Sequence, residues 1–230
     1  MPPTDHIIKR YDEELAHLMD ELRRMGDMAR LQLLHALNAL QHHDVDAARR
    51  IVEADDAIDD MEHAIGEDVV RLLALRAPMA GDLRQVFAAL RVAGDLERIG
   101  DCATGMARRV SRLPATVPDA FLHALERLGT QAAQAVDAVL DAWARGDARL
   151  ALRVWRDDQQ LDDAYTSVFR ELLTYMMEDP RQVGACTQLL FMAKNIERIG
   201  DHATNIAEST WFTTTGERLT AAVAEAEKNA

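Results

Sequence analysis

The chain has 230 residues, of which 48% are apolar and only 5% aromatic, and its formal charge at pH 7 is −13. A surface with this much negative charge repels phosphate backbones and anionic lipid headgroups. We therefore expect neither nucleic-acid binding nor direct adhesion to a membrane. Two cysteines, Cys102 and Cys186, are too few for a disulfide framework and favour a reducing compartment. No apolar segment is long enough to span a bilayer, so we expect a soluble, cytoplasmic protein.

Apolar residues recur at helical spacing along nearly the whole chain, and alternating strand patterns are absent. Helix breakers divide this pattern at Pro78, Pro114 and Pro180, because the residue before a proline avoids the helical region. Gly146-Asp147 pairs a residue that ends helices with one that caps them. The pattern predicts six helices, at residues 5–42, 45–76, 79–112, 118–145, 147–178 and 181–213, followed by a short polar tail.

The two halves of the chain repeat one another. DLERIGDCATGMA at 95–107 and NIERIGDHATNIA at 195–207 are identical at eight of thirteen positions and lie one hundred residues apart. Each half contains three predicted antiparallel helices. We therefore predict an all-α, six-helix bundle made of two homologous antiparallel three-helix repeats, with the first repeat at 1–114, the second at 115–216 and a polar C-terminal tail at 217–230.

Four of the predicted helices carry two acidic residues four positions apart, on a stripe that is otherwise largely apolar. Residues at this spacing face the same way on a helix. In each half the two pairs are nearly equidistant from the proline between their helices, 21 and 21 residues from Pro78 and 20 and 19 from Pro180. Because antiparallel helices rise equally per residue, each half is predicted to gather four carboxylates at one height. We call these groups the first carboxylate cluster (Asp55, Asp59, Glu97 and Asp101) and the second carboxylate cluster (Asp158, Asp162, Glu197 and Asp201).

Four close carboxylates need a compensating partner, because each close pair costs roughly 3 kcal/mol of repulsion at an effective dielectric constant of about 20. Protonation, basic side chains or a bound cation would each relieve the repulsion. Oxygen ligands favour hard ions such as Mg²⁺, Mn²⁺ or Ca²⁺ and also suit non-haem iron, and four carboxylates can hold more than one ion. A single acidic pair is typical of a solvated helix face, but the level arrangement of four pairs favours cation sites.

The residues beside the acids of the third and sixth predicted helices include one difference between the halves and one shared glycine. Lys194 lies one turn before Glu197 and can act as its counter-ion, whereas Gly94 holds the equivalent place in the first half. Gly100 and Gly200 lie between the two acids of their helices, where glycine costs about 1 kcal/mol relative to alanine. Its presence in both copies indicates that a neighbouring helix or a metal cluster approaches the backbone closely.

Other residues with metal-binding chemistry carry weaker signals. His202 follows Asp201 directly and therefore points about 100° away from it, which favours a place beside the site or at the surface. Cys102 holds the matching position and is interpreted as a packing residue. Glu14-x-x-His17 is half of a di-iron signature, but the chain has no second copy of this motif.

The sequence resembles the PhoU family of phosphate-specific transport system accessory proteins. The resemblance covers essentially the whole chain, and DDAID at 55–59 and DDQQLD at 157–162 support it. The segments that carry it are LALRAPMAGDLR at 73–84, LERIGDCATGMA at 96–107, YMMEDPR at 175–181 and IERIGDHATNIAES at 196–209.

The resemblance implies a non-enzymatic regulator whose E(D)xxxD motifs bind multinuclear clusters of Fe, Zn, Mn or Mg ions. It implies negative control of phosphate uptake and phosphate-starvation signalling, exerted through the ATPase subunit of the phosphate ABC transporter and a sensor histidine kinase. It further implies a homodimer that is cytoplasmic and reaches the inner face of the plasma membrane only through protein partners. The metal ligands it implies here are Asp55, Asp59, Glu97, Asp101, Asp158, Asp162, Glu197 and Asp201.

One departure from the family pattern bears on the first repeat. The family's GDxAxNIA segment is intact at 200–207, but Gly105-Met106 stands in the first copy where Asn205-Ile206 stands in the second. We expect the two sites to bind metal unequally, since the first lacks an amide that would orient its carboxylates.

Two other functions fit the same residues. A metal-dependent helical-bundle enzyme, of the di-iron oxidase or phosphatase type, would use the same carboxylates, but no general base or nucleophile is evident outside the ligand set. An inert scaffold would bind no metal and would use the acids only in ion pairs.

Overall fold

A computed structural model describes residues 3–76, 78–114 and 117–228 of the chain. Apart from the turns between helices, these ranges are helical and contain no strand, which confirms the all-α prediction. Six long helical segments correspond to the six predicted helices. The helices are α1 (Pro3–Gln41), α2 (Val45–Glu53), α3 (Asp56–Arg76), α4 (Gly81–Val110), α5 (Asp119–Arg145), α6 (Ala148–Glu178), α7 (Val183–Thr215) and α8 (Ala221–Lys228), with one 3-10 turn at Pro180–Gln182.

The predicted helix at 45–76 is wrong in one place, because two turn residues divide it into α2 and α3. The backbone N–H of Ala54 closes α2 by donating to the carbonyls of Arg50 and Ile51, and α3 begins after Asp55. The side chain of Asp55 accepts a hydrogen bond from Gln32 of α1. The break therefore lies where the chain supplies the first acid of the first carboxylate cluster.

The C-terminal segment is not simply a polar tail. Residues 221–228 form α8, and Leu219 and Ala224 are buried against Leu152 of α6 and Trp211 of α7. This small apolar cluster holds the last helix against the second repeat. The prediction of a polar tail missed it because several alanines and a single valine give a weak helical pattern.

The helix ends at the junction of α5 and α6 follow the predicted chemistry. Gly146 adopts a left-handed conformation with φ of 60°, which glycine reaches without strain. The carboxylate of Asp147 accepts a hydrogen bond from the backbone N–H of Leu150 at 2.9 Å. This tight connection makes α5 and α6 antiparallel neighbours.

Helices α1 and α5 join the two repeats through two matching contacts. A Cβ atom at Gly26 would lie 2.5 Å from Leu140 Cδ2, and one at Gly129 would lie 2.2 Å from Leu37 Cδ2. Adding 103 to the number of the α1 residue in either contact gives the α5 residue of the other contact: Gly26 corresponds to Gly129, and Leu37 corresponds to Leu140. The repeats are therefore related by an approximate twofold axis, and each glycine leaves room for a leucine of the opposite repeat.

Helices α4 and α7 form the other contact between the repeats and run antiparallel. Asp95 of α4 accepts a hydrogen bond from Asn205 of α7 at 3.0 Å, and the amide of Asn195 lies against Gly105. The twofold axis that exchanges the antiparallel helices α4 and α7 is perpendicular to the plane that contains both helix axes. Equivalent features beside α4 and α7 therefore lie on the same face of the molecule. Among the described helices, none combines the length and the apolar character needed to traverse a bilayer.

Candidate metal centre

The second carboxylate cluster brings acids from α6 and α7 together. One oxygen each from Asp158, Asp162 and Asp201 lie within 4.8 Å of one another, and the first two side chains are half-buried while the third is exposed. Asp158 and Asp162, one turn apart on α6, thus lie at the same height as Asp201 on α7. The nearly equal numbers of residues from Pro180 to the acids of the two helices predict this arrangement. Such a group of hard oxygen donors suits a divalent cation or iron.

Charge repulsion and burial both act on this group. Burial, followed by repulsion from Asp162 and Asp201, raises the pKa of Asp158 to about 6. The pKa of Asp162 is also raised, by burial and by Asp201, although Lys194 opposes the change. The three aspartates therefore hold negative charge that the surrounding side chains do not fully neutralise.

Glu197, the fourth acid of this cluster, has a basic partner. Lys194 Nζ donates a hydrogen bond to Glu197 Oε1 at 2.6 Å and lies 5.6 Å from the centre of the Tyr165 ring. The expected counter-ion contact is therefore present. Lys194 thus pairs with Glu197, whereas the three aspartates lie close to one another.

The first carboxylate cluster also gathers across α3 and α4, but less tightly. Burial, then repulsion from Asp55 and Asp101, raises the pKa of Asp59, and burial and Asp101 raise that of Glu97. In the described part of the chain, no three of its oxygens approach one another as closely as those of the second cluster. The two clusters are thus alike in position but not in compactness.

Basic and amide groups compensate the first cluster, although Gly94 stands where the second repeat has the counter-ion Lys194. Arg98 lies 3.3 Å from Glu97 and 3.0 Å from Asp101. Arg108 approaches Asp55 at 3.7 Å. A lysine one turn earlier is therefore not needed, because arginines further along α4 supply the positive charge.

Asp55 is also held by a buried amide that has no counterpart in the second repeat. Gln32 Nε2 donates to Asp55 Oδ1 at 2.9 Å and to Thr104 Oγ1 at 2.5 Å. The shift of 103 residues between the repeats places Ala135 at the equivalent position of α5. Asp158 therefore lacks the amide donor that Asp55 has.

Gly100 and Gly200 allow close approach of a neighbouring helix, as expected. A Cβ atom at Gly200 would lie 2.3 Å from Leu161 Cδ2 and 3.1 Å from Asp158 Oδ1, and one at Gly100 would lie 3.0 Å from Ile58 Cδ1. The approaching atoms belong to side chains of α6 and α3. Glycine between the acids therefore lets an apolar side chain and an aspartate of the facing helix pack onto the backbone.

The role predicted for the amide of Asn205 is wrong. Asn205 and His202 both contact Asp95 Oδ1 at 3.0 Å, so they join α7 to α4 rather than orient a carboxylate cluster. At the equivalent place in the first repeat, a Cβ atom at Gly105 would lie 2.7 Å from Asn195 Nδ2. The Gly105 departure therefore belongs to the contact between repeats. His202 lies at the inner side of α7, and Cys102 is buried as a packing residue should be.

A second group of possible metal ligands was not identified from the sequence. Ligand atoms of His17, Glu21 and Asp68 lie within 4.8 Å of one another, between α1 and α3. The i, i+4 spacing of His17 and Glu21 was the available signal. Glu14, which belongs to the half motif, instead forms a bidentate ion pair with Arg76 at 2.8 and 2.9 Å.

The raised pKa of Asp158 predicts how the stability of metal-free protein depends on pH. Its folded-state pKa of about 6 exceeds the usual aspartate pKa of 3.8, so the folded protein binds protons more readily than the unfolded chain. This contribution to stability is complete below the unfolded pKa and is lost as pH rises through 6. In chelator-treated protein we expect unfolding free energy to fall by about 1–3 kcal/mol between pH 4.5 and 7.5, measured by urea denaturation. Asp158→Asn should reduce this slope and Asp157→Asn should not; equal slopes in all three proteins would contradict the prediction.

Comparison with known proteins identifies the family. The family model for the PhoU domain matches residues 22–110 and 125–210. The phosphate-specific transport system accessory protein PhoU homolog of Xylella fastidiosa strain 9a5c is 50% identical over 214 residues, which is 93% of this chain and 90% of that protein. The accessory protein PhoU of Escherichia coli K12 is 38% identical over 212 residues, 92% of this chain and 88% of that protein.

Solved structures agree with this result. The crystal structure of PhoU from Pseudomonas aeruginosa is 39% identical, has a TM-score of 0.85 and covers 90% of this chain and 100% of that chain. The phosphate transport system regulatory protein PhoU from Streptococcus pneumoniae is 29% identical, with a TM-score of 0.85 and coverage of 91% and 99%. Sequence and fold thus match over both repeats, and the chain belongs to the PhoU family.

Proposed function

We propose that this chain is a regulator of phosphate homeostasis that restrains phosphate uptake and phosphate-starvation signalling when phosphate is plentiful. The observation that carries this proposal is similarity along both repeats to relatives named as accessory proteins of the phosphate-specific transport system. The similarity spans at least 92% of the chain in these relatives, so it includes the surfaces of the bundle as well as its core.

The proposed partners are the ATPase subunit of the phosphate ABC transporter and a sensor histidine kinase. The names of the relatives support a role beside the transporter. In this proposal the chain works in the cytoplasm as a homodimer and reaches the membrane through these partners.

We propose that the chain acts by binding rather than by catalysis. Within the described residues, no histidine or cysteine joins the aspartates of the second cluster. His202, the histidine next in sequence to that cluster, contacts Asp95 instead. The site therefore offers oxygen ligands without a separate general base or nucleophile, which favours a regulatory metal site over a metalloenzyme.

The proposed cofactor is a hard divalent metal ion or iron, with Fe, Zn, Mn and Mg as the candidates. The second carboxylate cluster fits such an ion because Asp158, Asp162 and Asp201 present oxygens within 4.8 Å. Glu197 would join them on leaving Lys194. The first cluster fits less well, because Arg98 and Gln32 already occupy its acids. A cation there would have to displace these contacts.

Deletion of the gene tests the proposed function. In phosphate-rich medium, the deletion strain is expected to take up more labelled phosphate and to express a phosphate-starvation reporter several-fold above the parent. The reason is that loss of a negative regulator leaves the transporter and the kinase unrestrained. The measurement is initial uptake rate and reporter activity in parent, deletion and complemented strains.

The matched control is complementation with Asp157→Asn, which changes an exposed acid outside the aspartate group. This variant should restore repression as well as the unaltered chain does. Unchanged uptake and reporter activity in the deletion strain would overturn the proposed function.

A further inference from the structure

Large apolar side chains are exposed mainly on two helical hairpins of the described chain. Phe87 is 54% exposed and Met177 is 83% exposed, although the bundle has an extensive core. Contiguous exposed apolar surface on a soluble protein typically marks an interaction site. The exposed side chains of the α3–α4 hairpin are Val70, Leu75, Met79, Leu83, Phe87 and Leu90, and those of the α6–α7 hairpin are Phe169, Leu173, Met177, Val183 and Phe191.

These residues form one stripe on each hairpin at helical spacing. The first apolar stripe (Leu83, Phe87 and Leu90) advances by four and three residues along α4, and the exposed Met79 lies in the turn before this helix. The second apolar stripe (Phe169, Leu173 and Met177) advances by four and four along α6. Such steps keep the side chains on one side of a helix.

Each stripe leads directly into a carboxylate cluster. Glu97 lies seven residues beyond Leu90 on α4, and Asp162 lies seven residues before Phe169 on α6, so both are two turns away on the same side. The surface from Leu83 to Asp101 therefore extends about 27 Å along α4 and changes from apolar at the hairpin tip to acidic at mid-height. The same change occurs on α6.

The two stripes lie on the same face of the molecule. The approximate twofold axis exchanges α4 with α7, as the Asp95–Asn205 contact shows, and exchanges α3 with α6. Rotation about an axis keeps height along that axis, so equivalent surfaces remain on one side. The two carboxylate clusters therefore lie on one face, and each stripe borders its own cluster there. The stripes themselves are not exchanged by the axis, because the first lies on α4 and the second on α6.

The charges on this face decide between possible occupants. A second copy packed face to face would place acidic clusters against acidic clusters, in a chain whose formal charge is already −13. An anionic lipid surface would be repelled for the same reason. A helix with apolar side chains opposite a stripe and basic side chains opposite the adjoining carboxylates complements the whole surface.

We propose that each apolar stripe, together with its carboxylate cluster, binds one amphipathic helix of a protein partner. That helix has an apolar half, which packs on the stripe, and a basic half, whose arginine or lysine side chains face the carboxylates. At the first cluster these side chains replace the contacts of Arg98, and at the second they take the place of the proposed metal ion, so that docking and metal binding compete there. The inference rests on the proposed accessory role, because an accessory protein acts through docking to others. It adds the surface and the chemistry of the docked segment.

A synthetic peptide tests this surface directly. The probe is a fluorescein-labelled, 18-residue helical peptide with leucines at i, i+4 spacing in one half and arginines on the same side in the other half. It is titrated against the chelator-treated full chain, and fluorescence anisotropy measures the affinity and stoichiometry. We expect two peptides per chain and at least about 10-fold weaker binding of a peptide with glutamates in place of the arginines.

Two surface variants connect binding to the stripes. Phe87→Ser and Phe169→Ser together are expected to weaken peptide binding by about 10-fold or more, because central aromatic residues dominate such interfaces. Both side chains are exposed, and matched thermal unfolding curves would show that the fold is kept. The control is Leu31→Ser, which removes an exposed leucine of α1 outside both stripes and should leave binding unchanged.

Two further measurements on the same variants distinguish a lipid surface and a second copy of the chain from a helical partner. Cosedimentation with phosphatidylglycerol vesicles that is lost in the double variant would overturn the proposal in favour of a lipid surface. Concentration-dependent dimers lost in the double variant would overturn it in favour of a second copy. Equal binding of arginine and glutamate peptides would also overturn it. None of these measurements involves phosphate uptake, so their failure is separate from failure of the deletion experiment.

Discussion

Asp158→Asn should lower the affinity of the chain for Mn²⁺ or Fe²⁺ by at least about 100-fold. Its oxygen is one of three that lie within 4.8 Å in the second cluster, and loss of a direct ligand exceeds the 10–100-fold effect typical of residues that only orient ligands. The measurement is metal content after chelation, reloading and gel filtration, combined with calorimetric titration. Asp201→Asn should give the same loss, because Asp201 supplies the third oxygen from the facing helix.

Glu97→Gln provides the comparison between the repeats. The first cluster is compensated by Arg98 and by the Gln32 amide, so the same neutralisation there should change affinity by only a few-fold. Asp157→Asn is the matched control in the second repeat, since Asp157 is exposed and its neighbour Asp158 is a proposed ligand. Equal losses in Asp158→Asn and Glu97→Gln would show that the two sites are equivalent and that the asymmetry proposed here is wrong.

Alanine substitutions at two mid-helix glycines should have opposite effects on stability. At Gly129, a Cβ atom would lie 2.2, 2.8 and 3.0 Å from Leu37 Cδ2, Cδ1 and Cγ, and Leu37 is only 9% exposed, so the side chain has little room to move away. We expect Gly129→Ala to destabilise the protein by about 1–3 kcal/mol through overpacking. At Gly94 nothing lies within 4 Å of a Cβ atom, so alanine should stabilise by about 0.5–1 kcal/mol.

Urea denaturation of chelator-treated protein measures both changes. Leu37→Val in the Gly129→Ala background should recover part of the lost stability, because it removes a methylene group from the crowded contact. This coupling is the test that the cause is steric. Equal effects of alanine at Gly129 and Gly94, or additivity of the double variant, would show that the contact between α1 and α5 is not the determinant.

Much of the fold was readable because its signals are local. The 3.6-residue period, the prolines and the Gly146-Asp147 junction are properties of neighbouring residues, and they correctly predicted six long helical segments. The level arrangement of the acids followed from counting outward from Pro78 and Pro180, since the rise per residue of a helix is fixed. The close approach at Gly100 and Gly200 was likewise predictable, because glycine at mid-helix costs stability unless packing uses the space.

Contacts between distant segments could not be read in this way. The turn at Ala54 and Asp55 has no proline or glycine to mark it, and Asp55 is held there by Gln32, 23 positions earlier in the chain. The amide of Asn205 was assigned to the wrong neighbour for the same reason. Its partner, Asp95, lies 110 positions away in the sequence.

By itself, the sequence determined that this chain is an all-α protein with two repeats and two sets of acids at matched heights. Only the tertiary structure decided which acids remain without compensating charge. Arg98 and Gln32 reach the first cluster, whereas the three aspartates of the second stand together. The physical reason is that helix periodicity fixes the direction and height of a side chain, but the packing of helices from both repeats fixes its partners.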